Sequence, residues 1–130
     1  MKQKKHKNSF KTLKNKLWKL VSEYIRKRDK GICITCGRWA EGKGYHAGHY
    51  IPKAICGMVL RYSDRNIYGQ CYNCNINLGG NGAKFHIELV KRYGQGFVDD
   101  LWKQKEILIK WEEEDYLRMI EYYKIKLKQL

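Results

Sequence analysis

His49, Asn66 and Asn75 are the side chains of this 130-residue sequence whose types and spacing suit phosphodiester hydrolysis. That reaction needs a base for the attacking water and a cation for the charge on phosphate and leaving oxygen. Neutral imidazole suits the first task because its ordinary pKa, about 6.5, lies near working pH. Mg²⁺ suits the second, taking a few protein oxygen or nitrogen ligands and keeping several waters. His49, followed by Tyr50-Ile51-Pro52, is the expected base. Asn66 is the expected orienter, its amide oxygen holding the ring in the productive tautomer. Asn75 is an expected ligand of the catalytic cation. Taken singly, each has a plainer role: a buried histidine, a turn residue, a helix cap. Their order inside one metal clamp favours the catalytic roles.

The clamp is two Cys-x-x-Cys pairs, Cys33/Cys36 and Cys71/Cys74. Two thiolates on a tight turn can occupy adjacent corners of a tetrahedron, and two such turns close the shell of a structural Zn²⁺. The 34 residues between the pairs exceed ordinary finger spacing, so a small subdomain must fill the gap. Closing that loop costs only about a few kcal/mol. Zinc binding, roughly 10–16 kcal/mol in small peptides, offsets it. Four free thiols are the plainer alternative. Cys56, the odd thiol, reads as a small core residue.

Lys+Arg 27 against Asp+Glu 13 gives a formal charge of +14, which favours a polyanionic partner. Twelve basic and two acidic residues lie in 1–30, so most of the excess sits at the N-terminus. No apolar run follows the Lys-rich start, and no segment is apolar enough to cross a bilayer, so no membrane partner is expected. A cytoplasmic setting, where thiols stay reduced, again favours metal over disulfides.

The elements that must position these groups are legible in outline. Residues 1–9 read as disordered. From Lys11 to Arg28, Leu13, Leu17, Leu20, Val21, Tyr24 and Ile25 recur at helical spacing, leaving Lys14, Lys16, Lys19 and Lys27 on a basic outer face. Glycines through 37–70 and β-prone pieces at 45–51 and 66–70 predict a loose hairpin with a long connection and no helix of any length. A helix is expected over 83–93, with Phe85, Leu89 and Tyr93 on one face. Gly94-Gln-Gly96 should break it, with a short turn over 97–102. The last helix should start near Glu112–Asp115 and bury Leu117, Ile120, Tyr123 and Leu127. Lys14, Lys16, Lys19, Arg26, Lys27 and Lys53 are expected phosphate contacts, and Tyr50, beside His49, the aromatic expected to touch DNA.

His49, Asn66 and Asn75 match the order of the HNH (His-Me finger, ββα-metal) endonucleases, with asparagine in place of the last histidine. The wider run resembles the NinG/Rap recombination proteins of lambdoid phages. It takes in Leu17-Trp-Lys-Leu, Ser22-Glu-Tyr-Ile-Arg26, Cys33-Ile-Thr-Cys-Gly37, His46-Ala-Gly-His-Tyr50, Leu60-Arg61, Asn66, Gln70-Cys-x-x-Cys-Asn75, Gly80-Asn81 and Leu89-Val-Lys-Arg-x-Gly94. That resemblance implies a zinc-stabilised, Mg²⁺- or Mn²⁺-dependent nuclease of a phage or prophage acting on branched DNA such as Holliday junctions. Many HNH members carry an acidic or histidine metal ligand directly before the base, where this chain has Gly48. His46, one pleat away on the same strand face as Gly48, is the expected substitute, with Asp64 and Asn81 as rivals.

The expected architecture is α+β. A basic tail and helix (1–30) precede a zinc-clamped ββα core (31–94), and a helical extension (95–130) completes one unit. The two terminal helices either pack together or build a homodimer interface, since two cuts call for two sites in matching orientation. Two further readings stand beside the junction nuclease: a nicking or homing-type endonuclease on duplex DNA, and a non-catalytic zinc DNA-binding accessory protein. RNA binding is a weaker third.

Overall fold

The computed structural model describes the backbone from Lys2 to Leu130 and the side chains from Phe10 onward. Helix α1 runs from Lys2 to Asp29, so helical backbone replaces the disordered start expected for 1–9 except at Met1, which lies outside the described residues. Lys and Gln are good helix formers, and no Gly or Pro interrupts the stretch. Two successive left-handed residues, Lys30 (φ 54°) and Gly31 (φ 82°), end it.

The apolar stripe of α1 meets α5 (Glu113–Lys128). Leu17, Val21, Tyr24 and Ile25 form one core with Tyr116, Ile120 and Tyr123. Truncating a fully buried leucine such as Leu17 to Ala costs about 2–5 kcal/mol. The terminal helices therefore pack on each other within one chain. Helix α5 starts in a capping box, Glu112 with Asp115, and carries Glu113, Glu114 and Asp115 at its positive end. Leu117 is exposed, contrary to expectation. Tyr116 takes its place in the stripe, one turn before Ile120, with its ring edge-on to Trp111.

Strands β1 (Tyr45–His49) and β2 (Ile67–Cys71) form the expected antiparallel hairpin, pairing His49 with Ile67 and Tyr45 with Cys71. Their long connection contains a five-residue helix, α2 (Gly57–Arg61), which the glycine-rich sequence conceals. The end of α1 is fastened to β2. Arg28 donates to the carbonyls of Asp64 and Ile67, each at 2.8 Å, and Asp29 accepts the Gly69 N–H at 2.7 Å.

A second core lies across the hairpin, built from Tyr50, Ile51, Cys56, Leu60, Tyr68, Phe85, Leu89, Val98 and Leu101. Cys56 is thus the small core residue expected. Helix α3 (Gly82–Tyr93) buries Phe85 and Leu89 and stops at Gly94 (φ 89°), as the sequence suggests. The next segment is not a short turn but helix α4 (Gln95–Lys105), which buries Val98 and Leu101 three residues apart. Its early Gly96 masks that periodicity. The architecture is α+β.

Candidate active site and metal clamp

The clamp closes as its spacing predicts. Cys33 and Cys36 share a turn in which the Gly37 N–H bonds the Cys33 carbonyl at 2.8 Å, with Gly37 in the left-handed region (φ 76°). Cys71 ends β2, and Cys74 lies in the single π-helical turn Asn73–Asn77. All four Sγ atoms lie within 4.8 Å of one another, and Cys36 and Cys71 are 3.7 Å apart. Tetrahedral sulfurs about 2.3 Å from one ion stand roughly this far apart, so the cluster can hold a structural metal ion. Burial pushes the thiol of Cys33 up, but the Thr35 hydroxyl at 3.1 Å and nearby backbone amides outweigh it and bring the thiol down to about 6. Burial pushes Cys36 up to about 12. One thiolate is favoured, and a second beside it is not until a cation joins them.

His49 ends β1 on the face turned to α1, its ring stacked on Trp18 with centroids 5.4 Å apart. Its Nε2 lies 2.8 Å from the Arg61 carbonyl. A carbonyl only accepts, so Nε2 carries the hydrogen and Nδ1 the free lone pair. Arg61 ends α2, where helix carbonyls lack intrahelical partners and are free to take such a donor. Burial lowers the His49 pKa, opposed by the Arg61 carbonyl and reinforced by the charges of Lys53 and Arg61. The ring is therefore a neutral base at neutral pH. It borders a cavity of about 190 Å³ lined by Lys14, Trp18, Lys53, Arg61 and Tyr62. Three cations around a basic nitrogen suit an anionic phosphate.

Asn66 does not hold that ring, contrary to the expectation from sequence. It is fully buried, and its amide grips the backbone of Ile51, accepting from the N–H at 2.9 Å and donating to the carbonyl at 3.1 Å. The Arg61 carbonyl fixes the tautomer instead, and nothing in the sequence announces α2.

His46 and Asn75 do come together, on the edge of β1. Asn75 Nδ2 donates to His46 Nδ1 at 2.9 Å, and His46 Nε2 donates to the Lys43 carbonyl at 2.9 Å. Both ring nitrogens are thereby engaged, which leaves His46 no lone pair for a cation in this arrangement. The pair lines a groove of about 700 Å³ with Trp18, Ser22, Arg26 and Lys43. Of the rivals, Asp64 accepts from the Tyr122 hydroxyl at 3.2 Å and Asn81 donates to Cys74 Sγ at 3.7 Å, and neither lines the groove with His46 and Asn75.

Gln70 is a site residue that residue type and spacing do not single out. It pairs with His46 across the hairpin and is fully buried. Its Nε2 donates to the Gly80 carbonyl at 2.9 Å and to Thr35 Oγ1 at 3.4 Å, while its Oε1 is buried without a partner among the described residues. A Cβ on Gly48 would lie 2.0 Å from that oxygen and 3.1 Å from Asn75 Oδ1. Glycine at 48 makes room for a carboxamide. Strand alternation is the available signal, because 46, 48 and the partners of each share one face.

Three of the phosphate contacts expected from sequence, Lys14, Arg26 and Lys53, border these two cavities. Lys14, Trp18, Ser22 and Arg26 recur every four residues along one ridge of α1, which runs past both. Lys53 joins Lys14 beside His49. Lys16 and Lys19 are exposed, and Lys27 is an exposed partner of Glu23 at 3.0 Å. Tyr50 is a correction. It is 7% exposed, and its hydroxyl sits between His86 Nδ1 at 2.7 Å and Trp102 Nε1 at 3.0 Å. One residue past His49, it turns to the opposite face and anchors α3 and α4.

A family profile described as "Bacteriophage Lambda NinG protein" matches residues 1–130. Relatives named "Protein ninG" from Escherichia phage lambda and Escherichia phage 933W are each 35% identical over 111 residues, 85% of this chain. The match covers 53% of the lambda protein and 54% of the 933W protein, so the chain spans about half the length of these relatives. No solved structure matches. Among the described residues, no helix is long and apolar enough to cross a membrane.

Proposed function

The chain belongs to the NinG family of phage proteins, and from that membership and its site we propose a metal-dependent DNA endonuclease of HNH type that cleaves branched recombination intermediates. The observation that carries this reading is the hydrogen bond from His49 Nε2 to the Arg61 carbonyl, which leaves Nδ1 as a neutral base among Lys14, Lys53 and Arg61. Asn66 holds the chain leaving β1 so that the ring is presented at a fixed height. His49 Nδ1 takes a proton from the water that attacks phosphorus. The three cations bind the non-bridging oxygens. When bound, Mg²⁺ or Mn²⁺ offsets charge on the pentacovalent phosphate and the departing 3′ oxygen. The carboxamide oxygen of Asn75 is a hard donor that fits such an ion. The four thiolates of Cys33, Cys36, Cys71 and Cys74 would complete the shell of a Zn²⁺ held there, so such an ion would shape the site without entering the chemistry. The ridge of α1 supplies phosphate contacts without sequence readout, and a twofold dimer would give two cuts in matching orientation.

Zinc-loaded protein incubated with Mg²⁺ or Mn²⁺, a labelled four-way junction and a linear duplex of the same sequence tests the proposal. We expect junction cleavage by wild type and none above background by His49→Ala. Equal cutting of both substrates moves the reading to a duplex endonuclease. Binding with no cleavage in either metal leaves a DNA-binding accessory protein.

A further inference from the structure

We propose that Gln70 is a direct ligand of the divalent cation, its Oε1 taking the place that a side chain at position 48 would otherwise supply. The inference rests on the nuclease reading above only for the cation's purpose, not for its location. Gln70 Oε1 is buried and has no partner among the described residues. The amide is not free to turn that oxygen elsewhere. Its nitrogen faces two acceptors, the Gly80 carbonyl at 2.9 Å and Thr35 Oγ1 at 3.4 Å. Thr35 in turn contacts Cys33 Sγ at 3.1 Å, so the metal clamp sets the orientation of Gln70. The oxygen converges with Asn75 Oδ1 on the same point above Gly48, 2.0 and 3.1 Å from where a Cβ would stand. Gln70 Oε1 is a hard donor in need of a partner and Asn75 Oδ1 is a second one beside the same glycine, and a hard cation is a partner that accepts both. His46, with both nitrogens engaged, then acts as a positioning residue: it receives Asn75 Nδ2 and so aims Asn75 Oδ1 at the ion.

The test reads the cation directly. In zinc-loaded protein labelled with ¹⁵N, substoichiometric Mn²⁺ should broaden the side-chain NH₂ signals of Gln70 and Asn75 before those of Asn15 or Asn77. Gln70→Glu, which adds charge to the same oxygen position, should bind Mn²⁺ at least tenfold more tightly by calorimetry. Gln70→Met should bind at least tenfold more weakly. Unbroadened Gln70 signals, or Mn²⁺ affinity in Gln70→Met within twofold of wild type, would overturn the assignment and leave a water as the partner of Oε1. Should Mn²⁺ bind at Gln70 while no DNA is cut, the nuclease reading fails and the cation site stands. Cleavage with Gln70 unaffected by Mn²⁺ has the reverse meaning.

Discussion

Asn66 holds Ile51 at both of its backbone polar groups, with Oδ1 2.9 Å from the nitrogen and Nδ2 3.1 Å from the carbonyl oxygen. An additional backbone bond from Tyr50 N–H to the Asn66 carbonyl, at 2.8 Å, lies beside it. The segment just after His49 is therefore fixed by the residue just before β2. A carboxamide is the side chain that can donate and accept at once in this way.

Asn66→Ala strands the N–H and the carbonyl of Ile51 in the core. Each buried, unpaired group costs about 1–3 kcal/mol, so the variant should lose roughly 2–6 kcal/mol. Urea unfolding of zinc-loaded protein measures this. A loss below about 1 kcal/mol would mean that water reaches those groups and that the grip is not structural.

His49→Ala removes the proposed base and should leave the fold in place, because the ring is only half-buried and Trp18 stays packed against the α1–α5 core. General-base catalysis contributes about 10²–10⁴-fold, so junction cleavage should fall by at least about a hundredfold. Zinc content and junction affinity should stay within twofold of wild type. Retained cleavage would assign the proton transfer to another group.

The pH dependence arises from the same ring. Burial depresses its pKa, so the folded protein binds fewer protons than the unfolded chain once pH falls below the ordinary imidazole value of about 6.5. The acid limb of cleavage should therefore lie below about 6.5. The contribution of His49 to stability is present above that pH and is lost as pH drops through the folded value. Urea midpoints of wild type and His49→Ala at pH 8 and pH 5 should converge or cross on acidification. A wild-type advantage that grew at pH 5 would show that the folded site prefers the charged ring.

The basic residues of α1 and Lys53 lend themselves to a salt test. Lys14 borders the His49 cavity, and Lys16 and Lys19 are exposed on the same helix. Each phosphate contact removed should lower the slope of log affinity against log salt by about 1. Lys14→Ala and Lys53→Ala should do so and also slow cleavage, because both residues face the base. Lys27→Ala, which removes an exposed partner of Glu23, should change neither by much.

Much of this architecture can be read along the chain because its strongest signals are local. The 3.6-residue recurrence from Leu17 to Ile25, the two Cys-x-x-Cys turns and the acidic start of α5 each specify an element without reference to distant residues. The helices that escape such a reading are those whose signals conflict with glycine. Helix α2 opens on Gly57 and α4 has Gly96 in its first turn, and tertiary burial of Leu60, Val98 and Leu101 outweighs the local cost. Three roles at the site are illegible for a related reason. The partner of His49 is a backbone carbonyl, which no residue type announces. Tyr50 is inward because the chain, one residue past the end of β1, turns it to the face opposite His49. Gln70 gains meaning only from the space that Gly48 leaves, a relation between two strands.

Metal removal tests the scaffold independently of any chemistry. The four thiols draw together three pieces: the turn after α1, the end of β2 and the π-helical turn that bears Asn75. The α1–α5 core shares only a few residues with that region, among them Ala47 and Ile67. We expect one zinc per chain, and Co²⁺ in its place should give a thiolate charge-transfer band and the visible absorption of tetrahedral coordination. Chelation, or Cys36→Ser combined with Cys71→Ser, should abolish that spectrum and expose the amides of β1 and β2 to hydrogen exchange. Helical signal from α1 and α5 should largely persist. Binding energies of about 10 kcal/mol in small zinc peptides make so large a local loss the expected scale. A metal-free protein whose hairpin amides stay protected would show that the thiols merely sit together in an already stable core.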